Sequence, residues 1–162
     1  MIILGIDPGY AIVGYGIIRY ERASFQVLHY GAITTSAKDP FEKRLQRIHL
    51  GIDSLLEHFH PDALAIERLY FTSNQKTAID VAQARGVMLL AAINRDVPIF
   101  EYTPLQVKQA VVGYGKAVKK QVMEMTRIIL HLKEVPKPDD TADALAIAIC
   151  HAHSAGSRLR YF

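Results

Sequence analysis

The sequence predicts an α/β fold in which a mixed five-stranded sheet carries helices on both faces, and three observations lead there. Half of the 162 residues are apolar, enough for one substantial core in a single domain over residues 1–162. Three strand-like runs come first, up to Thr34, separated by turn signals. Helical periodicity then alternates with two further short apolar runs, the order expected of a mixed sheet covered on both sides.

Met1 to Asp7 (MIILGID) reads as the first strand, Gly14 to Tyr20 as the second and Phe25 to Thr34 as the third. Pro8-Gly9 and the polar stretch from Glu21 to Ser24 punctuate them, which makes an antiparallel meander the economical arrangement. Phe41, Leu45, Ile48, Ile52, Leu55, Leu56 and Phe59 then share one helical face, with charges opposite, until Pro61 ends the pattern. Asp62 to Glu67 is nearly continuous in apolar residues, as a central strand requires.

Asn74 to Asn94 is helical, rich in alanine and apolar on more than one side. A contact with a second copy and tighter packing within one subunit both explain that. Val97 to Tyr102 is the last strand. Thr103-Pro104 caps a short helix that Gly113 closes. Val118, Val122, Met125, Ile129 and Leu132 form the stripe of the next helix, with Lys116, Lys120 and Arg127 largely on its other side. Pro136 and Pro138 precede the final helix, which starts near Asp139 or Asp140. Residues 154–162 form a tail whose order the sequence does not decide.

The first apolar run spans only Met1 to Ile6, with no basic segment before it, so neither a signal peptide nor a membrane span is predicted and a cytoplasmic location is expected. The single cysteine, Cys150, lies in the apolar run ALAIAIC and reads as a buried hydrophobe. Net charge is +3 and the isoelectric point about 9.0, but the surplus is uneven. Lys108, Lys116, Lys119, Lys120, Arg127, Lys133 and Lys137 face only Glu124 and Glu134 between Pro104 and Pro138, a local excess that attracts a polyanion or simply solvates a helix.

The acids are more informative. Asp7 and Glu67 each end a strand expected to be central, and Asp140 and Asp143 share one face at the start of the final helix. Carboxylates at the ends of buried elements are costly unless a cation meets them. Four hard oxygen donors suit Mg²⁺, with Mn²⁺ as a substitute. Two ions roughly 3.5–4 Å apart can activate a water and stabilise a leaving oxygen. Each acid also has an ordinary explanation, as turn initiator, helix cap or ion-pair partner. Asp143 fits those least, because an uncharged run follows it from Ala144 to Cys150. Glu101, Asp139, Asp62 and Asp96 sit at element ends without a partner pattern.

Five ordered blocks then resemble one family. GIDPG at Gly5 to Gly9 with GYGII at Gly14 to Ile18, AIE before Tyr70 and Phe71, QARG at Gln83 to Gly86, QVKQAVVGYGKAVKKQV at Gln106 to Val122, and DDTADALAIAICHAH at Asp139 to His153 are similar to the RuvC Holliday junction resolvases. The match covers nearly the whole chain. It implies a ribonuclease H-like fold, a homodimer, and Mg²⁺-dependent cutting of four-way DNA junctions in two symmetric strands, with the RuvA and RuvB branch-migration proteins as partners.

Carried over by position, the family's four catalytic acids fall on Asp7, Glu67, Asp140 and Asp143. Its strand-contacting lysines fall on Lys108 and Lys119, and the basic residues Lys116 and Lys120 beside them extend the expected DNA surface. The aromatic that stacks on an exposed base falls on Tyr70, with Phe71 next to it. In-line phosphodiester hydrolysis is then expected, with Asp7 bridging two ions, Glu67 on one, Asp140 and Asp143 on the other, and Lys119 stabilising phosphate charge. Gly113-Tyr114-Gly115, followed by a helix start, would offer N–H groups to a phosphate. Three rivals are a junction binder that does not cut, a general ribonuclease H-like nuclease, and an actin-like kinase, for which 162 residues leave no second domain.

Overall fold

The structure, a computed structural model, describes residues 1–69 and 75–158. Its strands are β1 (Ile2–Asp7), β2 (Ile12–Glu21), β3 (Ser24–Thr34), β4 (Ala63–Glu67) and β5 (Ile99–Tyr102). Its helices are α1 (Phe41–Phe59), α2 (Gln75–Ile93), α3 (Pro104–Val112), α4 (Lys119–Ile129) and α5 (Asp139–Arg158). The strands order as β3-β2-β1-β4-β5, with β1 central. The pairings β1–β2 and β2–β3 are antiparallel, whereas β1–β4 and β4–β5 are parallel. The meander and the mixed sheet are therefore as expected. The β2–β3 turn places both Arg22 and Ala23 at positive φ, the conformation that matches a two-residue hairpin to the twist of its strands.

Alternation along the strands splits the core into two layers. Ile3 and Ala65 face α3, α4 and α5, where Leu145, Ile147, Val107 and Val122 cover them. Leu4, Ile6, Leu64 and Ile66 point the other way, against Ile48, Ile52 and Leu56 of α1 and Ala84, Met88 and Ala91 of α2. Cys150 is buried and unpaired.

Helix boundaries follow the sequence at α3, where Thr103 and Gln106 form a reciprocal capping box and Gly113, at φ 92°, ends the helix. They depart from it at α4. Val118 is not part of the buried stripe: it precedes the helix and is 60% exposed, its N–H donating to Gln121 Oε1 at 2.9 Å. Leu132 lies beyond the helix, its carbonyl accepting from Arg127 Nη1. Because α4 begins at Lys119, Gly113-Tyr114-Gly115 do not open a helix, and no helical N–H array is available there. Arg44 departs from α1's pattern, being buried rather than on the solvent side. Residues 154–158 belong to α5.

One contact decides where α5 lies. A Cβ on Gly5 would sit 2.2 Å from the Ala144 carbonyl oxygen, and one on Gly14 would sit 1.9 Å from that of Asp140. Only glycine lets the α5 backbone come so close to β1 and β2, and that approach carries the first turn of α5 to the end of β1.

Candidate metal centre

Parallel pairing of Ile6 with Ile66 sets Asp7 beside Glu67 at the C-terminal edge of the sheet. The seating of α5 on Gly5 and Gly14 adds Asp140 and Asp143. The four acids are close enough to perturb one another. Burial, followed by the charges of Asp143, Glu67 and Asp140, pushes the Asp7 carboxyl up to about 8. Glu67 is raised by burial and then by Asp143. Asp143 is raised by burial, against the opposing hydrogen bond from Lys119.

Lys119 is the cation that meets them. Its Nζ lies 2.8 Å from Asp143 Oδ2 and 3.9 Å from Asp139 Oδ2. Its own pKa is raised, chiefly by the hydrogen bond to Asp143. The donor set is all oxygen and carries more negative charge than one lysine neutralises, which fits a hard divalent cation. Among the described residues no three histidine, cysteine or acidic side chains converge closely enough to hold an ion as they stand.

Lys108 and Lys119, with Glu67 and Asp143, line a cavity of about 180 Å³ whose floor is Pro104, Val107, Val122, Ala146 and Ile147. Lys116 and Lys120 are exposed and do not line it. Lys120 instead acts on Glu124. Tyr70 and Phe71 lie outside the described residues. Of the remaining acids, Asp62 accepts from the Ile2 N–H at 2.6 Å, and Glu101 lies 3.1 Å from Arg85 Nη2.

Two supporting contacts were not anticipated. Arg85 of the QARG block points Nε at the Glu67 carbonyl, at a long 3.5 Å, so α2 backs the strand end that carries that acid. Tyr102, paired with Glu67 in register, hydrogen-bonds through its hydroxyl to His151 Nδ1 at 2.8 Å in a buried position. Asp143, Ile147 and His151 follow one another at four-residue spacing on α5, so this bond fixes the Asp143 face against the strand beside Glu67. The spacing was readable in the sequence; the partner was not.

Comparison with known proteins gives the family and the fold. The family model described as crossover junction endodeoxyribonuclease RuvC matches residues 3–151. The crossover junction endodeoxyribonuclease RuvC of Alkaliphilus metalliredigens is 60% identical over 154 residues, covering 95% of this chain and 94% of that protein. The RuvC structure of Thermus thermophilus superposes with a TM-score of 0.91 at 41% identity, over 97% of this chain and 96% of that one. The T. thermophilus RuvC structure in complex with Holliday junction substrate gives 0.90 at 39% identity, again over 97% and 96%.

Proposed function

The chain belongs to the RuvC family of crossover junction endodeoxyribonucleases, and on that premise we propose that its acidic strand edge resolves four-way DNA junctions. It is a Holliday junction resolvase with the ribonuclease H-like α/β fold, acting as a single nuclease domain over residues 1–162. The finer reading is paired nicks in two strands of like polarity, with two Mg²⁺ ions, or Mn²⁺ in their place, held by Asp7, Glu67, Asp140 and Asp143. Bound there, the ions would supply the positive charge that activates a water and stabilises the leaving oxygen. The observation that carries this is the gathering of four carboxylates from three separate elements around one lysine.

The protein's own groups have distinct tasks. Asp7, whose carboxyl is raised first by burial and then by its acidic neighbours, would have to give up a proton to hold a cation. Asp143 and Glu67 flank the cavity into which the scissile phosphate fits, and Lys108 and Lys119 line its wall. Lys119 Nζ, now 2.8 Å from Asp143 Oδ2, would meet the non-bridging phosphate oxygens, where charge grows in the transition state, if Asp143 held a divalent cation instead. Lys116 and Lys120, on the exposed side, suit DNA phosphates farther from the cut. Tyr70 or Phe71 would stack on an unpaired base.

A homodimer would present two such sites to strands of matching polarity. Ile79, Ala82, Gly86, Leu90 and Ile93 form an exposed stripe along α2, with Ile79, Leu90 and Ile93 each more than half exposed, which supports that helix as the self-contact. RuvA and RuvB are proposed partners on family grounds. A cytoplasmic location is consistent with the absence, among the described residues, of any helix long and apolar enough to cross a membrane.

End-labelled four-way junction and matching linear duplex, each with Mg²⁺ and with EDTA, test the reading. Paired, ligatable nicks in opposite strands of the junction alone, abolished by EDTA, are expected. Binding without nicks would identify a junction binder, and equal cutting of both DNAs a general nuclease.

A further inference from the structure

Arg44 is a buried cation for which no described residue supplies an anion. Only 7% of the residue is exposed. Its guanidinium carbon lies 3.5 Å from the centroid of the Tyr10 ring, and its Nε donates to Thr35 Oγ1 at 2.9 Å. Thr35 Oγ1 in turn donates to the Tyr10 carbonyl at 2.7 Å, and the Thr35 N–H to the Ala11 carbonyl at 2.9 Å. These contacts employ Nε and one ring face. No described carboxylate pairs with Arg44, and neither terminal nitrogen hydrogen-bonds to a described residue. Both reach solvent, since neither is among the fully buried described side-chain nitrogens that lack a hydrogen-bond partner.

An unpaired cation in such a place is unfavourable in two ways. Burial removes hydration that no counter-charge restores. Arg44 also lies just past the first turn of α1, the end of a helix whose dipole favours negative charge. An anion delivered from outside relieves both costs. The remaining donors, Nη1 and Nη2, form a planar fork held by the Tyr10 ring and Thr35, the geometry that grips a phosphate through two parallel hydrogen bonds. Tyr10 stands on the loop that leaves Asp7. Three residues of chain put their Cα atoms no more than about 11 Å apart, so one DNA strand can reach both.

We infer that Arg44, backed by Tyr10 and pinned by Thr35, binds a phosphate of the junction on the α1 side of the sheet edge, apart from the phosphate that is cut. This rests on the nuclease reading above. The site takes a phosphodiester through shape and charge and reads no base. It anchors the strand on the side of the sheet edge opposite Lys108 and Lys119, so that the strand crosses the edge at Asp7.

Junction binding by the full chain in EDTA, followed across a salt series, tests this with Arg44→Gln and Arg44→Lys. Arg44→Gln is expected to bind about tenfold more weakly at low salt, with the slope of log K against log salt shallower by about 0.9, the signature of one lost phosphate contact. Junctions carrying a single neutral methylphosphonate at successive positions locate the contact. One position should weaken the wild-type protein and cost Arg44→Gln nothing further. If Arg44→Gln does not fold, Arg44→Lys carries the same cycle: its loss must be non-additive with one methylphosphonate position. Additive losses at every position, with an unchanged salt slope, would make Arg44 a loop clamp and overturn the inference. A wild-type protein that does not prefer the junction over linear duplex would instead remove the nuclease reading, and this inference with it.

Discussion

The two ends of the sheet hold acids in opposite circumstances. At the C-terminal edge, burial and like charge raise Asp7, Glu67 and Asp143, and one lysine opposes them. At the far end, Asp53 takes a bidentate pair of bonds from Arg95, at 2.5 and 2.8 Å, and its carboxyl is held below the usual range by that hydrogen bond. Asp62 there receives the Ile2 N–H. The far end also holds the larger cavity, about 540 Å³ against 180 Å³. Cavity size therefore does not identify the functional end; unbalanced charge does. A fold that stabilises Asp53 so readily tolerates destabilised acids elsewhere only where something outside the chain completes them.

Substitutions at the unbalanced end should separate chemistry from stability. The largest expected effect is that of Asp143→Asn. It keeps the shape of the side chain but removes a ligand charge, and should lower the single-turnover cleavage rate about thousandfold or more while junction affinity holds or improves. Cleavage at a normal rate would dissolve the four-acid assignment. Lys119→Ala comes next. A loss of about 1–3 kcal/mol in transition-state terms is expected, with a smaller loss in binding. Measured single-turnover rates decide it: weaker binding with an unchanged rate would reduce Lys119 to a phosphate anchor.

The acids and the strands were legible because their signals are local. Asp7, Glu67 and Asp143 each adjoin an apolar run that fixes an element and its end. The meander, the capping box at Thr103 and the stop at Gly113 are local too. What lay beyond reach depends on contacts between distant segments. Gly14 reads as an ordinary start of the second strand, and its need to be glycine shows only where Asp140 presses on it. Arg44 reads as a solvent-facing charge in helical projection, and its burial is set by Tyr10, far back in the chain. Lys119 carries no mark distinguishing it from Lys116 or Lys120 except family resemblance, because the apolar pattern of the sequence counts Val118 into the helix. The start at Lys119 is what turns that residue toward Asp143.

Stability against pH should separate the two ends next. Asp7 titrates near 8 when folded and near 4 when unfolded, so between those values the folded chain holds a proton that the unfolded chain releases. Its contribution is fully present below the unfolded pKa and is lost as pH rises through the folded one; Glu67 and Asp143 act in the same direction. In EDTA the thermal midpoint should therefore fall by about 10 °C between pH 5.5 and 8.5. Asp7→Asn should flatten most of that fall and raise the midpoint at pH 8.5. Saturating Mg²⁺ should oppose the fall in the wild-type protein, since a ligand bound only by the folded state stabilises it. A midpoint flat in EDTA would mean that the acids are better solvated than their positions indicate.

Asp53→Asn should give the smallest effect, and it is the control that makes the comparison exact in sign. Asp53 is held below its ordinary pKa by Arg95, so its contribution is present above the unfolded pKa and disappears as pH falls through the folded value. Removing its charge should lower the thermal midpoint slightly at neutral pH, and by less as pH falls toward the folded value, the reverse of the Asp7 pattern. Arg95 would keep a weaker partner in Glu57, at 3.7 Å, which limits the loss. Junction cleavage should be unchanged, because Asp53 pairs with Arg95 and, among the described residues, with no group of the acidic edge. A cleavage defect in Asp53→Asn with an unchanged midpoint would show that the two ends are coupled through the sheet, and charge imbalance at one edge would no longer suffice to explain where the chemistry lies.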